Sequence, residues 1–147
     1  GESLFSQGLG LHALLVGGLM AALALGTQAW YLGRDAAQWQ TVVFTTLCFM
    51  QLGHVLAIRS ERSSLFTQGL WSNRPLALAV ALTVLLQLAV VYTPLGNAWF
   101  RTTPLAPLDL AACVGAALVI VAVVEAEKAV RRRQGATPAS ARGNSVA

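Results

Sequence analysis

Charge is what this chain has least of: Asp, Glu, Lys and Arg make up 11% of its 147 residues, against the roughly 25% usual in soluble domains. That scarcity excludes an ordinary water-soluble globule, whose outside has to be covered by charged and polar side chains. Cysteine is equally sparse. Cys48 and Cys113 both lie inside apolar stretches, which excludes a disulfide framework and a metal cluster of ligand spacing. Basic residues outnumber acidic ones, ten to six, but they cluster beside apolar segments and form no stripe with interleaved aromatics, so nucleic acid is not implied as a partner. A phosphate-cradling glycine loop, a Ser/His/Asp constellation and paired catalytic carboxylates are all missing, and no enzyme is visible in these residues. The chain starts with Gly1 instead of Met and shows no signal-peptide pattern, so it is expected to be a fragment or an excised piece.

What the sequence does have is apolar residues, 56% of the total, gathered into four long blocks. The blocks span residues 9–31, 41–58, 76–92 and 108–124, about 17 to 23 residues each, or roughly 26 to 35 Å as helix. That length matches a hydrocarbon core of about 30 Å. Lipid offers no partner for backbone N–H and C=O groups, and the runs lack the alternation of a barrel strand, so helix is the expected state. The predicted fold is an all-α membrane protein, a bundle of four transmembrane helices occupying residues 1–133, followed by a disordered tail over 134–147 of small polar residues.

Arg59, Arg62 and Arg74 lie between the second and third blocks, and Lys128, Arg131, Arg132, Arg133 and Arg142 follow the fourth. Arg34 and Arg101 stand alone in the other two connections. The positive-inside rule therefore predicts both termini in the cytoplasm, with Trp30, Tyr31, Trp39, Tyr92 and Trp99 as interfacial aromatics on the outer side. The stretch from Thr93 to Pro107 contains Pro94, Pro104 and Pro107 and is expected to be an outer loop without a helix of its own. Asp109 falls in the first turn of the fourth helix, where the macrodipole favours a carboxylate.

Polar side chains inside the spans need an explanation, since each costs free energy unless it faces protein or water. Gln51 and His54 are three residues apart on one face of the second helix. That face borders an ion path on the functional reading, and supplies an interhelical hydrogen bond on the packing reading. Gln87 and Gln28 favour the packing reading. His12 reads as an interfacial or capping histidine, without a second ligand four residues away. Gly18, Ala22 and Gly26 recur every four residues and leave a groove for close helix approach, or else fill a lipid-facing surface. Glu125 and Glu127 precede Lys128 and Arg131, and Glu127 with Arg131 has the spacing of a helical ion pair. Such an end also orients the helix by snorkelling.

Longer strings carry a resemblance. GESLFSQGLGLHALLVGGLM, QTVVFTTLCFMQLGHVLAIRSERSSLFTQGLWSNRPL, TPLGNAWFRTTPLAPLDL and VVEAEKAVRRR closely resemble the C-terminal membrane region of P-type cation-transporting ATPases of the calcium-pump branch. The resemblance covers residues 2–133 and includes the RSERSSLF segment, the PLAPLD approach to the last helix and the E-x-E-K exit, in order. It implies that the four spans are the seventh to tenth helices of such a pump. Implied partners are the pump's remaining transmembrane helices and cytoplasmic domains, a divalent cation as cargo, and the bilayer. ATP and Mg are implied as cofactors of the complete pump and none for this chain, which lacks the phosphorylation motif DKTGT and is expected to be inactive alone. A multi-pass location in a bacterial inner membrane goes with this reading.

One family ligand maps here. Aligning on the S-E-x-x-S-L pattern places Gln51 where two-site calcium pumps carry a glutamate. Glutamine keeps a carbonyl oxygen but loses the charge that helps neutralise a divalent ion, which predicts one high-affinity site instead of two. Cation identity stays open, with calcium leading over manganese or a monovalent ion. His54 receives no ligand role and is expected, with Gly18, Ala22 and Gly26, to serve helix packing. A reading of a different class also stands: a stand-alone four-helix membrane protein that binds or regulates a pump or forms a small channel. A Met start just before Gly1 would favour it, and an upstream frame encoding DKTGT the pump.

Overall fold

The computed structural model describes residues 3–34, 36–59 and 74–135. Its elements follow the apolar blocks: α1 (Ser3–Leu32), α2 (Trp39–Arg59), α3 (Arg74–Tyr92), a short α4 (Pro94–Phe100) and α5 (Pro107–Gly135). The four long helices each contain a stretch apolar and long enough to cross a membrane. Proline starts helices here and interrupts none of them. Pro75, Pro94 and Pro107 each fall in a first turn, where the missing N–H would have been unpaired in any case.

Two expectations need correcting. The stretch from Thr93 to Pro107 is not all loop, because α4 occupies Pro94–Phe100. Thr93 caps it, its Oγ1 accepting from Gly96 N at 3.1 Å, and Arg101 ends it in the left-handed conformation at φ 54°. The last helix also outlasts its apolar run, continuing through the charged exit to Gly135, so residues 134 and 135, assigned to the tail, are helical. Residues 136–147 of that expected tail, and the RSERSSLF segment after Arg59, lie outside the described residues.

α2 is the most buried of the long helices and the centre of the arrangement, touching α1, α3 and α5 and packing most extensively on α5. Two apolar clusters flank it. Val16, Met20 and Ala24 of α1 meet Met50 and Ala57 of α2 and Ile120 and Val124 of α5. Val42 and Phe49 of α2 meet Val91 of α3, Leu105 and Cys113. Elsewhere the outside is apolar: Leu14 is 76% exposed, Leu78 69% and Leu108 81%. Such a surface suits lipid and not water. The chain is a multi-pass membrane protein.

The close contact of α2 and α5 depends on Gly53. A Cβ there would stand 3.1 Å from Ala117 O and 3.1 Å from Val121 Cγ2, so the absent side chain lets the backbones approach.

Candidate functional site

Polar groups sit at both ends of the bundle and in one band between. At the end where α1 begins and α5 ends, His12 Nδ1 lies 2.5 Å from Glu127 Oε2. The His12 ring stacks on that of His54, with centroids 5.8 Å apart. Arg131 donates to the other oxygen of Glu127. Lys128 Nζ lies 2.5 Å from Glu125 Oε1 and donates to Ala57 O at 2.9 Å. Ala57 is in the last turn of α2, whose carbonyls have no intrahelical donor, and a cation there also complements the macrodipole. Three helices are thus joined by one cluster.

At the opposite end, Tyr31 Oη donates to Asp109 Oδ1 at 2.5 Å, tying α1 to the first turn of α5. Thr103 N donates to Thr41 Oγ1 at 2.9 Å, and Tyr92 Oη to Leu105 O at 3.0 Å. Between the ends, Gln87 Nε2 donates to Thr45 Oγ1 at 3.1 Å, and Thr46 Oγ1 to Cys113 Sγ at 3.3 Å. Gln87, Thr45, Thr46 and Cys113 are all buried. An unpaired polar group at this depth would cost several kcal/mol, so these bonds select the helix rotations. A crevice of about 340 Å³ lies between α1, α2 and α5, lined by Gly26, Thr27, Trp30, Tyr31, Thr46 and Ala112.

The residues singled out from sequence divide into inward and outward groups. Gln87 faces inward and makes the interhelical bond expected of it. His54 turns to His12, while Gln51, 60° further round by helical geometry, is exposed on a stripe with Gln40, Phe44, Leu47 and Val55. Gln51 and His54 therefore do not share a surface. Gly18, Ala22 and Gly26 are exposed as well, on the side of α1 away from Val16, Met20 and Ala24. A Cβ added at Gly18 or Gly26 would meet nothing within 4 Å. No described helix occupies that groove. Among the described residues no group of three or more His, Cys, Asp or Glu side chains is placed to hold a metal ion.

Sequence reading missed two features. The partner of His12 is 115 residues away, where no within-helix spacing rule reaches. Gly53 is a single glycine without a repeat, and only its neighbours on α5 reveal its role.

Comparison with known proteins agrees with this architecture. The family model described as "Cation transporting ATPase, C-terminus" matches residues 1–130. The calcium-transporting ATPase type 2C member 1 of Homo sapiens is 36% identical over 92 residues, covering 63% of this chain and 10% of that protein. Calcium-transporting ATPase 1 of Schizosaccharomyces pombe is 32% identical over 103 residues, covering 70% of this chain and 12% of its own length. A calcium-transporting ATPase of Bacillus subtilis is 37% identical over 81 residues, 55% of this chain and 9% of that protein. The chain spans about a tenth of the length of these curated relatives. With four helices long and apolar enough to cross a membrane and a family match over nearly all of them, the chain belongs to the cation-transporting ATPase C-terminal family.

Proposed function

We propose that this chain supports an ATP-driven divalent-cation pump from the side, with calcium as the cargo, and supplies one uncharged oxygen to the ion path. The observation that carries the reading is Gln51. Its amide stands exposed on a stripe otherwise formed largely by Phe44, Leu47 and Val55, where a lipid-facing amide would be costly. Helices outside this chain, carrying the remaining ligands, give it a polar neighbour. The uncovered glycine groove of α1 offers those helices close approach. ATP and Mg act at domains supplied by the rest of the pump.

The charge pattern supports an orientation with the His12–Glu127 end in the cytoplasm, since eight of the ten Lys and Arg residues belong to that side. The expected location is a bacterial inner membrane.

Gln51 also sets the expected stoichiometry. A carboxamide oxygen coordinates a hard cation but contributes no negative charge, so one ion is expected per phosphorylated pump. The test is ATP-dependent calcium uptake by proteoliposomes holding the complete polypeptide, together with calcium bound per phosphoenzyme. Uptake with a ratio of one supports both statements. A ratio of two overturns the role given to Gln51, and absence of ATP-dependent uptake of calcium or another divalent ion overturns the pump reading.

A further inference from the structure

We infer that α4 is an interfacial foot, lying along the boundary between lipid headgroups and acyl chains and fixing the depth of α3 and α5 in the bilayer. α4 is too short to cross anything. Its exposed side nevertheless carries large apolar groups: Leu95 is 64% exposed, Trp99 77% and Phe100 57%. Water would be a poor solvent for three such side chains on seven residues.

The helix cannot turn them inward, because its other side is bolted to the end of α3. A Cβ at Gly96 would stand 2.6 Å from Val90 Cα and 2.7 Å from Ala89 O, so the two backbones are in direct contact. Thr93 Oγ1 donates to Ala89 O at 2.7 Å. Thr102 Oγ1 donates to Val90 O at 2.6 Å. The Asn97 amide, with its NH2 group toward the helix end, donates to the carbonyls of Val90 and Val91 at 3.1 and 2.8 Å. These bonds occupy carbonyls of the last turn of α3 and hold α4 at one angle.

Depth and charge identify the occupant. α3 has 19 residues, about 28 Å at 1.5 Å per residue, so Tyr92 reaches the edge of a hydrocarbon core about 30 Å thick. α4 begins two residues later. Large apolar side chains are likewise exposed on α3, at Leu78, Leu82, Leu85 and Leu86, and at the start of α5, at Leu108. Between Thr93 and Leu108 the only charge is Arg101. Arg101 is exposed at the turn after α4, where its guanidinium suits lipid phosphate. Aromatic side chains favour this layer, and an amphipathic helix seats its apolar side about 5–10 Å into it. The placement does not depend on which cation the complete protein carries.

The test uses the full chain with Trp99 as its only tryptophan, through Trp30→Phe, Trp39→Phe and Trp71→Phe, in phosphatidylcholine vesicles. Bromines near the headgroup end of the acyl chain are expected to quench Trp99 more than bromines at the chain terminus, with little quenching by aqueous iodide. Strong iodide quenching without lipid quenching overturns the inference. A second variant of the full chain keeps the tryptophans other than Trp99: Trp99→Cys with Cys48→Ala, spin-labelled in the same vesicles, Cys113 being buried. Collisions with lipid-dissolved oxygen exceeding those with an aqueous nickel chelate support the foot. The reverse order, or shielding from both, means water or protein covers α4 and overturns it.

Discussion

Replacing Gly53 by alanine should loosen this bundle, whereas the same change at Gly18 should not. Both glycines are helical, and in a helix alanine is favoured over glycine by about 0.8–1.0 kcal/mol. Packing reverses the sign at one of them. The new methyl at residue 53 would lie 3.1 Å from Ala117 O and from Val121 Cγ2, inside the roughly 3.5–4.0 Å at which carbon contacts are most favourable. Neither neighbour yields easily, since one is backbone of α5 and the other belongs to a β-branched side chain stiff at χ1. Overpacking of this kind costs about 1–3 kcal/mol, which leaves Gly53→Ala a net loss of about 1 kcal/mol. At Gly18 nothing lies within 4 Å, and the propensity gain stands alone. The two variants should then differ by about 2 kcal/mol, a gap of about 4–8 °C in Tm for a chain of this size. Thermal unfolding in one detergent, followed in a Cys48→Ala background by reaction of the buried Cys113 thiol with a fluorogenic maleimide, measures it. Gly53→Ala melting at or above Gly18→Ala would refute the close-approach argument.

Other substitutions test the polar clamps and the outer groove. A double-mutant cycle of His12→Ala with Glu127→Ala should give a coupling of about 1–2 kcal/mol, and additive single losses in the same melting assay would remove the pair as a tie between α1 and α5. Tyr31→Phe deletes a bond to a carboxylate and should cost about 1.5–3 kcal/mol, visible as a lower Tm; an unchanged Tm would contradict the contact with Asp109. Gly18→Leu should leave the isolated chain folded yet impair assembly or cation flux of the complete pump, and normal expression with wild-type flux would refute the packing of α1 on other pump helices.

The four spans were legible because run length and absence of charge are properties of the chain itself. Their ends were less so. Hydropathy stops at Glu125, but helix does not, since Glu125 with Lys128 and Glu127 with Arg131 pair along the helix and continue it to Gly135. α4 escaped notice because proline reads as a breaker, although Pro94 stands behind a capping Thr93, where its fixed φ helps a helix begin. In the candidate site, the kind of role was easier to read than the partner. Gln87 had to bond somewhere, but Thr45 as acceptor depends on the rotations of α2 and α3. Repeat spacing drew attention to Gly18, Ala22 and Gly26, which no described helix covers, and passed over Gly53, whose importance resides in Ala117 and Val121.

The separation of these two glycine surfaces bears on how the unit can support anything. In lipid, helices gain little by hiding apolar surface from one another, and association rests on close packing and interhelical hydrogen bonds. α1 spends its Val16–Met20–Ala24 face on the bundle and fastens it at both ends, through His12 to Glu127 and through Tyr31 to Asp109. None of those contacts uses Gly18, Ala22 or Gly26, although Gly26 also borders the crevice shared with α2 and α5. A partner helix can therefore dock in the groove without undoing a single internal bond. The same holds for α2, where Gly53 and His54 are committed to α5 and α1 while Gln51 is presented outward. A bundle whose internal ties and outward surfaces are carried by different residues can take up a partner helix without repacking itself, which is what the proposed function asks of it.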